Sequence, residues 1–367
     1  MGRKRLLEIM ECDDEGLSSY IKNADEVRER SHGGVVTYSK NVFIPVTNLC
    51  RNACGYCGFR RDEGEATILE KGEVDKALKE GLKRGCKEAL FTFGERPEGY
   101  KKMREFLEMR GYENFLEYLY DLCERAIDLG LLPHTNAGIL GKGELRYLKD
   151  VNVSMGLMLE NASERLCEEG EAHEHSPGKS PKSRLEMIEN AGKLKIPFTT
   201  GLLIGIGETD EEVIDSLLAL KRIQLKYGHI QEIIVQNFVP KPGTPMENEP
   251  GPSLEKMIKT TVATRLLFED MNIQVPPNLN PGREEVFLKC GANDFGGVSP
   301  VTFDYVNPES HWPEIGYLSS KVEGSGFELR ERLAIYPRFV KKGWYTERLK
   351  SLVDEYADSE GLVREAC

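Results

Sequence analysis

Cys50, Cys54 and Cys57 lie in one short run, NLCRNACGYCGF, and bring three thiols to a single loop. Thiolates are the usual ligands of iron-sulfur clusters, and the common ferredoxin spacings supply four cysteines. A compact set of three leaves one iron of a 4Fe-4S cube without a protein ligand, open to a substrate or cofactor. A structural zinc site also favours a CxxC pair, but four protein ligands close it. No second CxxC exists, and Cys12, Cys86, Cys123, Cys167, Cys290 and Cys367 are scattered singly. The nearest histidine, His32, stands well before the loop, so zinc stays an alternative only through a distant fourth ligand.

Such a loop needs a scaffold. From residue 41 onward, short apolar or β-branched runs alternate with longer stretches of helical period. The strands expected are 41–47, 88–94, 132–138, 153–159, 198–205, 232–238, 273–279 and a weaker one at 296–300. Between them lie amphipathic stretches such as EVDKALKEGLKRG and TDEEVIDSLLALKRIQLKYG, the latter opened by a Thr209/Glu212 capping box and ended by Gly228. This alternation predicts an α/β fold with a parallel sheet, closed as a complete (βα)8 or partial barrel with its chemistry at the C-terminal ends of the strands. An open doubly wound sheet would carry GxGxxG after its first strand, and that fingerprint is absent. The cysteine loop then follows the first strand directly. Residues 1–40 read as an N-terminal helical extension, 41–300 as the barrel and 301–367 as a C-terminal appendage closing it. Residues 170–183 read as a long loop on the catalytic face, in which His173 and His175 are expected to be solvated.

The chain's 367 residues suit one such barrel with flanking pieces, and 40% hydrophobic residues suffice for its core. A formal net charge of -12 argues against nucleic acid or an anionic membrane as partner. The N-terminus lacks the apolar segment of a signal peptide, and no run approaches a membrane span. Cysteines without paired spacing suit a reducing compartment, so a soluble cytoplasmic protein is expected.

The C-x3-C-x2-C spacing, with Tyr56 just before the third cysteine, resembles the cluster loop of radical S-adenosylmethionine (SAM) enzymes. That resemblance implies a 4Fe-4S cluster on Cys50, Cys54 and Cys57, SAM on the open iron, a TIM-type barrel, and a low-potential electron donor. Thr92-Phe93-Gly94-Glu95 resembles the family's Gly-Gly-Glu motif, which implies that Gly94 and Glu95 hold the SAM amino group; Phe93 replaces the first glycine. Glu160 and Asn161, ending the fourth strand, are implied as ribose acceptors, with helix capping as the alternative. TTGLLIGIGET resembles the family's GxIxGxxE-like strand, which implies Gly205 backbone beside the adenine, with a simple turn as the alternative.

A closer likeness runs over about residues 41–315. NLCRNACGYCGFR, ALFTFGERPEG, HTNAGIL, PFTTGLLIGIGET, VQNFVPKPGTPM and GVSPVTFDYVNPE together are similar to the cyclising-subunit family of 7,8-didemethyl-8-hydroxy-5-deazariboflavin (FO) synthase. This implies ring closure of a hydroxybenzyl-ribityl-dihydrouracil with loss of ammonia, the small-molecule substrate being supplied by a sister radical SAM subunit. Such a substrate is polyhydroxylated and carries no phosphate, so amides and hydroxyls should line its pocket. His134 is the candidate for proton transfer, because an imidazole titrates near neutral pH. Asn136, Gln236, Asn237, Lys241, Asn278 (with Asn280) and Asp294 are the substrate candidates, each with an ordinary barrel-rim role as the alternative. The rival functions are another radical SAM reaction, such as that of the sister subunit or biotin synthase, and a non-enzymatic iron-sulfur electron carrier.

Overall fold

A computed structural model of the chain describes residues 1–365, so Cys367 lies outside the described residues. The eight expected strands are all present: β1 Val35–Ile44, β2 Glu88–Thr92, β3 Leu132–Asn136, β4 Ser154–Gly156, β5 Phe198–Ile204, β6 Ile230–Asn237, β7 Asn272–Gln274 and β8 Asp294–Val298. Neighbours pair in parallel round the sheet, and β1 closes it by pairing with both β8 and β2. The barrel is therefore complete rather than partial. Every residue of β5, FTTGLLI, is buried, as expected for a strand covered on both faces.

Two elements depart from the sequence expectation. β1 begins at Val35 rather than at 41, inside the stretch expected as helical extension, because Gly33 ends helix Asp14–His32 at φ 60 and the β-branched run after Gly34 goes straight into the sheet. It stops at Ile44, where Pro45 has no N–H to give to a ladder. A ninth strand, β9 Glu328–Arg332, lies in the C-terminal appendage, where no strand was expected. It pairs in parallel with the first half of β1, Val35 opposite Glu328 and Ser39 opposite Arg332, below the stretch that pairs with β2. Its sequence, ELRER, carries no apolar alternation to announce a strand.

From β9 the chain runs into the N-terminal end of the barrel. Leu333, Ala334, Ile335 and Tyr336 are buried there, and Ala334 O accepts from Ser154 Oγ at 2.7 Å and Gln231 Nε2 at 3.1 Å. Arg332 Nε and Nη2 donate to the two oxygens of Asp294 at 2.7 and 2.9 Å, and Thr37 Oγ1 donates to the same carboxylate. Asp294, expected to meet substrate, is thus wholly taken up in the floor. It is the first residue of β8, at the strand end opposite the catalytic face. Helices Arg3–Glu11 and Asp14–His32 lie on the barrel's flank against helices Asp210–Tyr227 and Leu254–Leu267. The expected capping box opens Asp210–Tyr227, with Thr209 Oγ1 accepting from Glu212 N at 3.2 Å and the Glu212 carboxylate from Thr209 N at 2.8 Å. Gly228 ends that helix at φ 63, the left-handed backbone glycine adopts without strain.

Burial makes this fold acid-sensitive. His229 is fully buried with Nε2 2.9 Å from Ile188 O, and burial pushes its pKa down to about 4. His32, beside Arg265, is pushed to about 3 by burial and then by that cation. Unfolded histidines protonate near pH 6.5. Between that pH and the folded values only the unfolded chain takes up these protons, so stability is present above about pH 6.5 and is lost as pH falls. His229 alone accounts for about 3 kcal/mol at pH 4. Denaturant unfolding at pH 7 and at pH 4.5 should show this fall, and equal stability at the two would refute it.

Candidate functional site

A cavity of about 390 Å³ opens at the C-terminal ends of the strands and descends to the floor. Cys50, Cys54 and Cys57 line its mouth, on the loop that leaves β1. None of the three is in a disulfide. The segment after β4 braces this loop. Ala53 N donates to His175 O at 3.0 Å, Gly55 N to Ala172 O at 2.8 Å, Gly178 N to Asn52 Oδ1 at 2.8 Å and Ser176 Oγ to Cys54 Sγ at 3.3 Å. Residues 170–183 are therefore a packed support, and His173, expected in solvent, is 2% exposed. Its Nε2 lies 3.0 Å from Tyr56 OH, with the rings edge to face. Burial drives His173 down to about 3 and Tyr56 well above the usual phenol range, so the phenol donates to a neutral imidazole. His175 is exposed as expected.

Gly94 explains itself by contact. A Cβ there would sit 1.9 Å from Leu49 O and 2.8 Å from Cys50 Cβ, while Gly94 N donates to Thr47 O at 2.8 Å. The glycine lets β2's end press against the cysteine loop. Gly94→Ala must push Cys50 aside, so the variant should take up much less iron and sulfide on reconstitution than the parent. Equal loading would reject this packing role.

Glu95 follows, 3% exposed and walling the cavity. Its Oε1 accepts from Arg51 Nε at 2.6 Å, its Oε2 from Ile139 N at 3.0 Å, and its own N–H points to Cys50 Sγ at 3.2 Å. Gly138 and Gly178 make its slot, since a Cβ on either would fall within 2.5 Å of the Glu95 side chain. This is an oriented, ion-paired carboxylate rather than a solvated cap. Glu160 also lines the cavity, at φ 64, with Lys179 Nζ at 2.5 Å and Arg184 at 3.9 Å. Burial alone would raise its pKa, but Lys179 and Arg184 hold it below the ordinary carboxylate range.

Two residues expected at SAM lie elsewhere. Asn161 is outside the cavity wall and accepts from Ser163 N at 2.8 Å, a local turn bond. Gly205 makes the tight turn after β5, at φ 96, with its N–H donated to Glu208 and no room for a Cβ beside Pro252. Of the substrate candidates, His134, Asn136, Gln236, Asn237 and Lys241 share the cavity wall. Asn278 does not; its Nδ2 is spent on Asp304 at 3.0 Å. Asn280 acts through Asn237, donating to its Oδ1 at 2.8 Å.

His134 is buried with Nδ1 2.7 Å from Ser154 Oγ. The Ser154 hydroxyl already donates to Ala334 O, so it accepts the Nδ1 proton and leaves Nε2 as the nitrogen that can take one. Burial holds His134 at about 4, so it is neutral at pH 7. Gly156 clears its surroundings, since a Cβ there would lie 3.1 Å from His134 Nε2 and 2.2 Å from Asn136 Oδ1. Lys241 is buried against Gly58, 3.8 Å from Glu309, and burial lowers its pKa.

Sequence reasoning missed the lower wall: Asn41, Glu88, Glu232, Gln274 and Arg332. The signal was a polar residue at an inward position of a strand otherwise buried on both faces, as with Glu88 on β2 and Glu232 on β6. Among the described residues, no three His, Cys, Asp or Glu side chains converge as one metal ion would require. A cube spreads its thiolates over separate irons and asks only for unpaired thiols along one wall, which these residues fit.

Comparison with known proteins agrees with this geometry. Residues 44–220 match the radical SAM superfamily. The chain is 55% identical over 320 residues to the 7,8-didemethyl-8-hydroxy-5-deazariboflavin synthase of Methanothermobacter thermautotrophicus, covering 87% of this chain and 97% of that protein. It is 53% identical to the synthase of the same name from Methanococcus vannielii, over 96% of this chain and 99% of that one. Among solved structures, methylornithine synthase superposes with a TM-score of 0.69 at 21% identity, over 89% of this chain and 94% of its own. The FeFe-hydrogenase maturase HydG of Carboxydothermus hydrogenoformans gives 0.73 at 17% identity, over 97% and 86%. At those identities the likeness is one of fold. Family membership implies a 4Fe-4S cluster and SAM, and no helix among the described residues is long and apolar enough to cross a membrane. On the identity and coverage of its relatives, the chain belongs to the 7,8-didemethyl-8-hydroxy-5-deazariboflavin synthase family of radical SAM enzymes.

Proposed function

We propose that this chain catalyses the ring closure of 5-amino-5-(4-hydroxybenzyl)-6-(D-ribitylimino)-5,6-dihydrouracil to FO with loss of ammonia, consuming SAM to 5'-deoxyadenosine and methionine. The observation that carries this reading is one cavity with three free thiols at its mouth and amides and a neutral imidazole along its walls. Cys50, Cys54 and Cys57 are assigned to the cluster, and Glu95, Gly94, Glu160 and Tyr56 to the SAM side. When bound, cluster and SAM together supply a 5'-deoxyadenosyl radical that removes one hydrogen atom from the substrate. Arg51 fixes the Glu95 carboxylate next to Cys50, where it can accept from an ammonium group. Asn136, Gln236 and Asn237 offer amides to the substrate, and Lys241 a cation.

His134, neutral and with Nε2 beside Asn136 in the cavity wall, takes up a proton during ring closure. His134→Gln should cut FO yield by about 10²-fold or more, while 5'-deoxyadenosine still forms. An unchanged FO yield would remove His134 from proton transfer. The intermediate comes from a sister radical SAM subunit and the electron from a low-potential donor, both in the cytoplasm. The test is anaerobic reconstitution with iron and sulfide, followed by SAM, a strong reductant and the intermediate, with FO and 5'-deoxyadenosine measured together. FO formation supports the reading. Deoxyadenosine without FO rejects the substrate, and neither product from a fully loaded enzyme would favour an electron carrier.

A further inference from the structure

The lower half of the cavity is polar, and some of its groups lack partners. Asn41 is 1% exposed and lines the wall, yet its Oδ1 has no hydrogen-bond partner among the described residues. It leans over Gly297, where a Cβ would fall 2.1 Å from Asn41 Nδ2, so the glycine makes its space. Buried polar atoms are almost always paired, and an orphan facing a cavity marks where a ligand completes the bond. Glu88 is the register neighbour of Asn41 on β2 and points the same way. It is buried, with a hydrogen bond from Ser39 Oγ on one oxygen only. Gln274, on β7, stands in the same wall over Gly296.

Charge narrows the ligand. Arg332, the cation of the floor, is committed to Asp294 through both oxygens, and Glu88 and Glu232 would repel an anion. A phosphate or carboxylate does not belong here. The acceptors come from β1, β2, β6 and β7 and so surround the barrel axis on several sides. Such a sleeve suits a narrow, uncharged chain with a hydroxyl at each carbon. Nearer the mouth, Phe43, Phe59 and Phe93 offer apolar surface for a ring system.

We propose that Asn41 and Glu88 are specificity-determining residues that hold the polyhydroxylated chain of the substrate, drawing it down the barrel axis with the rings toward the cysteine loop. This rests on the cyclisation reading above. Asn41 Oδ1 accepts from one hydroxyl and the free oxygen of Glu88 from another. Both residues lie deep in the barrel, away from the thiols at its mouth, so they act on substrate binding and not on the cluster.

The test uses enzyme loaded with cluster and SAM, and compares binding of FO with that of an analogue whose ribityl chain is replaced by methyl. Parent enzyme should bind FO at least about tenfold more tightly than the methyl analogue, the scale of one good hydrogen bond. Asn41→Ala should lose about tenfold for FO and stay within about twofold for the methyl compound. Glu88→Met, which keeps much of the side chain's length and removes both acceptor oxygens, should do the same. Equal weakening of both compounds in both variants would make these residues merely structural and overturn the proposal. Parent enzyme that makes FO but binds both compounds alike overturns it too, while leaving the cyclisation reading intact. Parent enzyme that makes 5'-deoxyadenosine, yields no FO and binds neither compound removes the cyclisation reading and this proposal with it.

Discussion

Replacing Cys50, Cys54 or Cys57 by alanine, one at a time, is expected to cut 5'-deoxyadenosine formation by at least about a thousandfold, a modest part of an enzymatic acceleration of about 10⁶-fold or more. The barrel should still fold, because most bonds that hold the loop do not use its thiols. The backbone bonds of Ala53 and Gly55 to His175 and Ala172, and the bond of Gly178 N to Asn52, involve no sulfur. Cys86, Cys123 and Cys290 are the controls. Each is buried in the core, and burial pushes each thiol up to about 12, so all three stay protonated and behave as small apolar residues. Alanine at those positions should leave cleavage within about twofold and cost about 1 kcal/mol of stability. Iron content, far-ultraviolet circular dichroism and product analysis on the same samples separate the two classes. A variant of the triad that keeps its iron and its cleavage is not a ligand.

The barrel was legible because strands covered on both faces read as apolar runs, and because helices with clear 3.6-residue period separate them. Strand ends were less so. β4 is three residues long where seven were expected, since its ladder to β5 breaks after Leu157 and returns only at Glu160, opposite Leu202. β9 escaped because an edge strand paired on charged residues leaves no alternation. The cysteine loop stands out by residue type and spacing and Glu95 by its likeness to the family motif, whereas the contacts that orient them, from Arg51, Ser176 and His173, join residues 44 to 122 positions apart, which no local pattern encodes. Asp294 misled for a simple reason. An acid near the last strand looks the same in sequence whether it sits at the catalytic end or at the floor, and only the starting point of β8 decides.

The floor provides the largest expected loss of stability. Arg332 and Asp294 are both buried, 3% and 0% exposed, and joined by two hydrogen bonds. Arg332 also stacks on Tyr336 with its Cζ 3.9 Å from the ring centre, while Tyr336 OH donates to Glu232 at 2.5 Å. Arg332→Met keeps much of the volume but leaves Asp294 without its cation, in reach only of Thr37 and the Gly296 N–H. Removing one partner of a buried pair costs about 3–5 kcal/mol, chiefly from the stranded charge. Against a typical stability of about 5–15 kcal/mol that is a large share. Arg332→Met combined with Asp294→Asn should recover part of the loss, because the Asp294 charge is then no longer stranded, although Glu232, 3.6 Å from Arg332, still loses its cation. Denaturant titration of the two single variants and the double gives the coupling directly. A single-variant loss below about 1 kcal/mol, the value of a solvated pair, would mean that water reaches the floor. The tail would then cover the barrel's end without sealing it, and the deep polar wall would be open to solvent from below as well as to substrate from above.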